Sequence, residues 1–205
     1  MQTKINKLLQ VTALTLLSGA VLAGPVDLSP WTVNGTGTWN LQAGNNAVKQ
    51  TVNGNPTVFH NNQDSQGKAL SGTIKVETSS DDDYYGNGLK GLAISQVTGA
   101  LGDNSGAWSH APANNVTELQ RATTLGSTGW SDNTEYSFDL IFTTSLVEVF
   151  VNGAKELSIT GTFNNGSFGF YNYSQANVLY AGIEEDIAPP SAVPVPAAVL
   201  MFAPA

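Results

Sequence analysis

The chain has 205 residues, no cysteine, and 8 Lys and Arg against 16 Asp and Glu, which gives a formal net charge of −8. This acidity opposes binding to nucleic-acid phosphates and to anionic membrane surfaces, and it permits binding of divalent cations and of neutral polymers such as glycans. The length suffices for one domain with a sizeable core, and without disulfides that core must be stabilised by packing.

The N-terminus, Met1 to Ala23, has the pattern of a secretory signal peptide. Lys4 and Lys7 form a positive start, residues 8–22 are mostly apolar, and small residues end the segment before Gly24. An N-terminal anchor helix is the alternative, but polar residues and a glycine interrupt the apolar run. We therefore expect export and cleavage after Ala23. Loss of the two lysines leaves 6 Lys and Arg against 16 Asp and Glu, a net charge of −10.

Residues 24–186 are expected to form one domain, and they show almost no helical periodicity. Short apolar or alternating runs are separated by Gly and Asn turn signals, a pattern typical of an all-β sandwich. The predicted strands are Gly37–Leu41, Ala47–Val52, Thr57–His60, Ala69–Glu77, Tyr84–Ile94, Thr117–Ala122, Glu135–Thr143, Leu146–Val151, Glu156–Thr160, Ser167–Tyr173 and Asn177–Ile183.

The segment 135–160 allows the most detailed prediction. Apolar side chains alternate with other residues along 136–142 and 147–151, so each strand has one buried face. A two-residue turn at Asn152-Gly153 would place Val149 opposite Glu156 and mix the two faces. Because the buried face sets the register, we predict a longer loop or a β-bulge that pairs Val149 with Leu157.

That register places Phe150 on the opposite face of the sheet, together with Glu148, Glu156 and Ser158. If this face is concave, Phe150 and Glu148 are candidates for contact with a ligand. The alternative is that Phe150 packs under a loop or a neighbouring strand.

Residues 81–83 are three consecutive aspartates, a concentrated negative charge. In an extended segment Asp81 and Asp83 point the same way, and Asn87 is close enough in sequence to assist them. Calcium prefers such carboxylate and amide oxygens, so these three residues are candidate Ca²⁺ ligands. A solvated acidic loop is the alternative.

Residues that would support catalysis are sparse. Glycoside hydrolysis needs two carboxylates about 5 to 10 Å apart across the scissile bond, and no spaced pair suggests itself. His60 and His110, the two histidines, have no organised ligand or triad partners in the sequence. We therefore predict a protein that is not an enzyme.

Trp39, Trp108 and Trp130 are the aromatic candidates for stacking on sugar rings. Trp108 lies in a polar, small-residue loop and is a candidate ligand contact. Trp39 alternates with Leu41 and is expected in the core, whereas Trp130 is expected to pack at a sheet edge.

Two blocks of the body resemble a known superfamily. They are residues 70–86, with the acidic Asp81-Asp82-Asp83-Tyr84 turn, and residues 166–182, preceded by Val149-Phe-Val-Asn-Gly153. Together they are similar to the concanavalin A-like lectin/glucanase superfamily, nearest its thrombospondin C-terminal-like branch. The resemblance implies a two-sheet antiparallel jelly-roll sandwich. Glucanases of this superfamily carry a Glu-x-Asp-x-Glu strand motif, which this sequence lacks.

The C-terminal segment, residues 187–205, combines prolines at positions 189, 190, 194 and 196 with a final apolar run too short for the roughly 20 residues that span a bilayer. Its Val193-Pro194-Val195-Pro196 motif resembles the start of a PEP-CTERM sorting signal. That resemblance implies a following helix and basic cluster, an exosortase-type processing enzyme, and a Gram-negative bacterium that makes extracellular polysaccharide. We expect a truncated tail; a frayed Pro-rich end is the alternative.

Together these features predict an exported, non-catalytic β-sandwich that binds carbohydrate or extracellular matrix polymer at the cell surface. The alternative is a structural matrix or adhesion module that binds proteins, and a glycoside hydrolase is the least favoured possibility.

Overall fold

The structure of the protein, a computed structural model, describes residues 23–79, 92–97, 116–128, 130–173 and 175–189. All regular secondary structure in these ranges is β-strand. Within the same ranges there is no helix long and apolar enough to cross a membrane. The predicted signal peptide, apart from Ala23, and the sorting motif lie outside them.

The described residues form thirteen strands, which we number in chain order. They are β1 (Gly24–Pro25), β2 (Thr32–Gly35), β3 (Trp39–Leu41), β4 (Ala47–Gln50), β5 (Thr57–His60), β6 (Lys68–Val76), β7 (Ala93–Val97), β8 (Val116–Arg121), β9 (Glu135–Phe142), β10 (Leu146–Val151), β11 (Ala154–Thr160), β12 (Gly169–Asn172) and β13 (Val178–Ile187).

The strands form three antiparallel sheets. Eight belong to a large sheet with the order β11-β10-β9-β6-β13-β4-β3, and β1 also pairs with β13. A second sheet has the order β12-β5-β2, and β7 pairs with β8. Strand β6 joins the two halves of the large sheet because it pairs with β9 on one side and β13 on the other.

The core lies between the large sheet and the β12-β5-β2 sheet. Leu70 and Ile183 contribute to it from the first, and Phe59 and Phe170 from the second. Phe170 stacks on Tyr180 of β13, with ring centroids 4.3 Å apart. Trp39 is partly buried and stacks on Phe59, in agreement with its expected place. Contacts between aromatic rings therefore join the two sheets.

The β10–β11 hairpin confirms the predicted register. Val149 pairs with Leu157, and the register shifts between Val149 and Phe150 because β11 contains one extra residue. The turn itself is short: Asn152 and Gly153 both have positive φ, 49° and 77°, as a two-residue type I′ hairpin requires. Of the two predicted solutions, the β-bulge is the one present.

Other strands differ from the prediction in detail. Strands β1 and β2 were not predicted; β1 has two residues, and β2 is a polar Thr-Val-Asn-Gly run with all four residues exposed. Strand β7 ends three residues after the predicted end at Ile94, because its last residues are still paired with β8. Residues 84–91, the first part of that predicted strand, lie outside the described ranges.

Candidate ligand-binding site

Phe150 and Glu148 lie on the face of the large sheet that points away from the core. Lys155 occupies the position opposite Phe150, and Ser158 lies opposite Glu148. The Lys155 ammonium is 5.4 Å from the centre of the Phe150 ring, a cation–π distance. We call these four residues, Glu148, Phe150, Lys155 and Ser158, the outer-face cluster.

The Glu148 carboxylate has two hydrogen-bond donors within this cluster. Its Oε1 accepts hydrogen bonds from Lys155 Nζ at 2.6 Å and from Ser158 Oγ at 2.8 Å. The bond from Lys155 lowers the pKa of Glu148 below its usual range, Ser158 and the lysine charge add to this effect, and partial burial opposes it. Glu148 is therefore held ionised, and a ligand that used it would compete with Lys155.

Glu156 does not join Phe150 as the sequence suggested. It is the extra residue of the bulge, so Lys155 takes the position opposite Phe150. The Glu156 side chain is 2% exposed, and its carboxylate accepts hydrogen bonds from the hydroxyl and N–H of Thr124 and from the N–H of Leu125. Hydrogen bonds from Thr124 are the main reason that the pKa of Glu156 is lowered. Glu156 thus fastens the 123–125 loop to the sheet.

This loop forms one wall of a cavity of about 310 Å³ between the large sheet and the end of β12. Leu125 lines the cavity from this loop, and Thr128 lines it a few residues further along the chain. Five aromatic side chains, which we call the aromatic cavity lining, are Trp130, Tyr136, Tyr171, Tyr173 and Tyr180. Small-molecule sites are commonly this apolar and contain a few polar groups that fix the orientation of the ligand.

Polar side chains are present in the same cavity. Asn172 and Gln175 line it and are each 6% exposed. The Asn172 Oδ1 atom is buried and has no hydrogen-bond partner among the described residues. Tyr136 Oη accepts a hydrogen bond from Ser131 N at 2.9 Å, which fixes its ring. The cavity therefore combines aromatic surface with hydrogen-bonding groups.

Trp130 is the lining residue that combines a large apolar ring with high exposure, since 42% of it is accessible to solvent. From the sequence, Trp130 is one of three tryptophan candidates for sugar stacking, but it is expected to pack at a sheet edge, and Trp108 is the favoured contact. Its neighbours in sequence are polar, and the tyrosines that share its cavity come from β9, β12 and β13 and the adjoining loop. The sequence signal for the site was therefore weak.

The other predicted site residues are not placed by the structure. Trp108 and the three candidate calcium ligands, Asp81, Asp83 and Asn87, lie outside the described residues. In the described ranges themselves, no three His, Asp or Glu side chains come together in a way that could hold a metal ion. The calcium site thus stays a prediction.

Comparison with known proteins supports the fold. No family model and no curated protein matches the chain. The exoplasmic/lumenal domain of VIP36 in a form bound to Ca²⁺ and Man3GlcNAc is 15% identical, with a TM-score of 0.51 over 82% of this chain and 89% of that one. Its metal-free form gives a TM-score of 0.50 at 15% identity, over 78% and 86% of the two chains.

A carbohydrate-binding module, CBM66 from Bacillus subtilis, is 12% identical with a TM-score of 0.49, over 77% of this chain and 95% of the module. The chain shares the fold of the VIP36 domain, a sandwich of antiparallel β-sheets, which confirms the predicted all-β sandwich class.

Proposed function

We propose that this protein is an exported, non-catalytic lectin-like domain that binds carbohydrate, and that the aromatic cavity is its sugar-binding site. The observation that carries the proposal is the half-exposed Trp130 ring beside a cavity lined by four tyrosines and two buried amide side chains. The shared fold supports it, because the VIP36 domain is described in a form with Ca²⁺ and Man3GlcNAc bound.

The chemistry of the cavity suits a sugar. A sugar ring presents C–H groups on one face, which pack on an aromatic ring, and hydroxyls at its edge, which need hydrogen-bond partners. Trp130 offers the aromatic surface, and Asn172 and Gln175 offer amides. A volume of about 310 Å³ is at the low end of the range for ligand sites, so the cavity suits one sugar unit at a time.

The outer-face cluster is the second candidate surface. Phe150 has the aromatic ring that a polysaccharide would use, but Lys155 lies over that ring and also holds Glu148. A sugar would have to displace an existing cation–π contact and a charge-assisted hydrogen bond. We therefore rank this cluster below the cavity.

Replacement of Trp130 by alanine is expected to weaken sugar binding by roughly tenfold, the equivalent of about 1.4 kcal/mol. The ring is 42% exposed, so its loss should leave the fold intact. A glycan array would first identify a ligand, and isothermal titration calorimetry would then compare the wild type and Trp130→Ala.

Phe150→Ala is the matched control, because it removes one aromatic ring from the outer-face cluster and none from the cavity. If Phe150→Ala weakens binding and Trp130→Ala does not, the outer-face cluster is the site. If the folded wild type binds no glycan on the array, the carbohydrate proposal is wrong, and the alternative of a structural matrix or adhesion module that binds protein takes its place.

Calcium is proposed as an accessory ion, with Asp81, Asp83 and Asn87 as its ligands. Its test is titration of Ca²⁺ alone into the exported chain, where we expect heat of binding that disappears in the Asp81→Asn/Asp83→Asn double variant. An unchanged signal in the variant, or no signal in the wild type, would exclude this site. The VIP36 domain is described both in a Ca²⁺-bound form and in a metal-free form, which supports calcium as the ion to test.

We further propose that the Val193-Pro194-Val195-Pro196 motif directs an exosortase-type enzyme to remove the tail. The domain would then reach the periplasm, the outer surface or the extracellular matrix of a Gram-negative bacterium. This part of the proposal rests on the sequence motif and on the N-terminal signal pattern.

The proposal that the protein is not an enzyme has its own test. Turnover of labelled polysaccharide by the purified protein would contradict it.

A further inference from the structure

Asn172, the last residue of β12, faces the large sheet. It lies on the same face of β12 as Phe170, two residues earlier, and the Phe170 ring stacks on Tyr180 of β13. Asn172 is 6% exposed and lines the aromatic cavity. Its carboxamide is therefore directed into the space between the sheets.

The Asn172 Oδ1 atom lacks a hydrogen-bond donor. It is buried, and it accepts no hydrogen bond from the part of the chain that the structure describes. A buried acceptor without a donor costs free energy, and native proteins contain few of them. An apolar side chain of similar size would avoid this cost. Asn172 therefore has a full set of hydrogen bonds only when a bound molecule supplies the donor.

Aliphatic side chains of β6 and β13 form another part of the cavity wall. Val76 and Val178 are directly opposite each other on these neighbouring strands, and Ile74, two residues before Val76, is opposite Tyr180. All four residues line the cavity. We call Ile74, Val76 and Val178 the aliphatic patch. It offers hydrophobic contact and no side-chain hydrogen bond, so it suits an apolar group of a ligand.

The cavity lining is uncharged. The described residues that line it include no Asp, Glu, Lys, Arg or His. A carboxylate or ammonium group that entered the cavity would lose its water without gaining an ion-pair partner, which is costly. The net charge of −8 adds long-range repulsion for anionic sugars. These features favour an uncharged ligand.

An acetamido group matches the buried acceptor and the aliphatic patch together. Its N–H is a donor for Asn172 Oδ1, and its methyl group can pack on the aliphatic patch. Its carbonyl needs a donor, and Tyr136 can supply one, because Tyr136 Oη accepts a hydrogen bond from Ser131 N at 2.9 Å and keeps its own proton to donate. A hydroxyl in the same place would satisfy Asn172 but has no methyl group for the patch.

We propose that the aromatic cavity selects an uncharged, N-acetylated sugar unit, an N-acetylhexosamine, and that Asn172 determines this selectivity. The selectivity presupposes the proposed sugar-binding function, to which it adds the class of sugar. Asn172 accepts the acetamido N–H, the aliphatic patch buries the methyl group, and Trp130 packs on the sugar ring. A plain hexose meets the first and third of these requirements but not the second.

Two pairs of matched ligands test the selectivity. Triacetylchitotriose and cellotriose share one β-1,4-linked glucose backbone and differ in the group at C2, which is acetamido in the first and hydroxyl in the second. N-acetylgalactosamine and galactose differ in the same way. In isothermal titration calorimetry of the folded full chain, we expect the acetylated member of at least one pair to bind about tenfold more tightly.

The possible failures separate the two proposals. If neither acetylated ligand binds more tightly than its hydroxyl counterpart, and glycans on the array bind, the selectivity is wrong and the sugar-binding function stands. If the folded chain binds no glycan on the array and none of these four ligands, the sugar-binding function itself is wrong.

Asn172→Leu tests the role of the buried acceptor. Because Oδ1 has no partner in the described structure, its loss should not lower the free energy of unfolding of the ligand-free protein, measured in urea. We expect the affinity for the preferred acetylated ligand to fall about tenfold and the preference over its hydroxyl counterpart to disappear. A variant that is clearly less stable, or that keeps the preference, would overturn the role of Asn172.

Gln50→Leu is the matched control. Gln50 is 1% exposed and its Oε1 atom also lacks a partner, but it is not among the described residues that line the cavity. Its Nε2 donates to Val52 O at 2.6 Å, so this variant is expected to lose stability and to keep the preference for the acetylated ligand. Loss of the preference in both variants would assign it to the packing of the core and would overturn the role of Asn172.

Discussion

Glu156→Ala is expected to destabilise the protein by about 3 kcal/mol, since it leaves the N–H groups of Thr124 and Leu125 and the Thr124 hydroxyl without their acceptor. The carboxylate is 2% exposed, so water does not readily replace it. The two N–H groups bond Oε2, at 2.9 Å and 3.2 Å, and the hydroxyl bonds Oε1. Urea unfolding at neutral pH measures the loss.

Glu156→Gln separates the role of charge from the role of shape. The glutamine oxygen can accept both N–H bonds, and its amide can donate to the Thr124 hydroxyl, so every group keeps a partner. We expect a loss of only about 1 kcal/mol, the difference between charge-assisted and neutral hydrogen bonds. Equal losses in the two variants would mean that the charge, and not the satisfied geometry, dominates.

The pH dependence of this effect has a definite sign. The pKa of Glu156 is lowered in the folded protein from its ordinary value of 4.5, chiefly by hydrogen bonds from Thr124. The stabilisation is therefore fully present above pH 4.5 and is lost as the pH falls through the folded pKa. Stability curves of the wild type and Glu156→Gln should converge below pH 4.5. Parallel curves would contradict this assignment.

Glu156 also shows where sequence reasoning fails. The alternation of valines with polar residues, together with Asn152-Gly153, predicted the β10–β11 register and a bulge or a longer loop, because register follows from the buried face. The same pattern placed Glu156 beside Glu148. Its true partners, Thr124 and Leu125, lie more than thirty residues away along the chain, and no local pattern identifies them.

The candidate site was predictable to a smaller degree than the fold. Strand identity follows from local alternation, but the cavity depends on how β6, β9, β12 and β13 meet, which is a matter of long-range pairing. Exposure of Trp130 likewise depends on its surroundings. The outer-face cluster was partly predictable, since Glu148 and Phe150 belong to one regular hairpin. The lysine that covers Phe150 follows only once the bulge is placed.

Gly72 is the second position where a small substitution should have a large effect on stability, because its side of β6 faces Ile183. Gly72 lies in β6, and Ile183 is fully buried in β13 beside the irregular register of that strand. A Cβ at Gly72 would lie 2.6 Å from Ile183 Cδ1, 3.0 Å from Ala181 O and 3.3 Å from Phe138 Cζ. Gly72→Ala is therefore expected to cost about 2 kcal/mol through overpacking.

A double-mutant cycle can attribute that cost to this contact. Ile183→Val removes Cδ1, the nearest of the three atoms, and alone should cost about 1 kcal/mol. In the Gly72→Ala/Ile183→Val double variant, the new methyl group occupies the space that Cδ1 left. The double variant should therefore be more stable than the Gly72→Ala single variant. Thermal unfolding of the four proteins gives the coupling free energy. Additive losses would show that the Ala181 carbonyl, and not the isoleucine, limits this position.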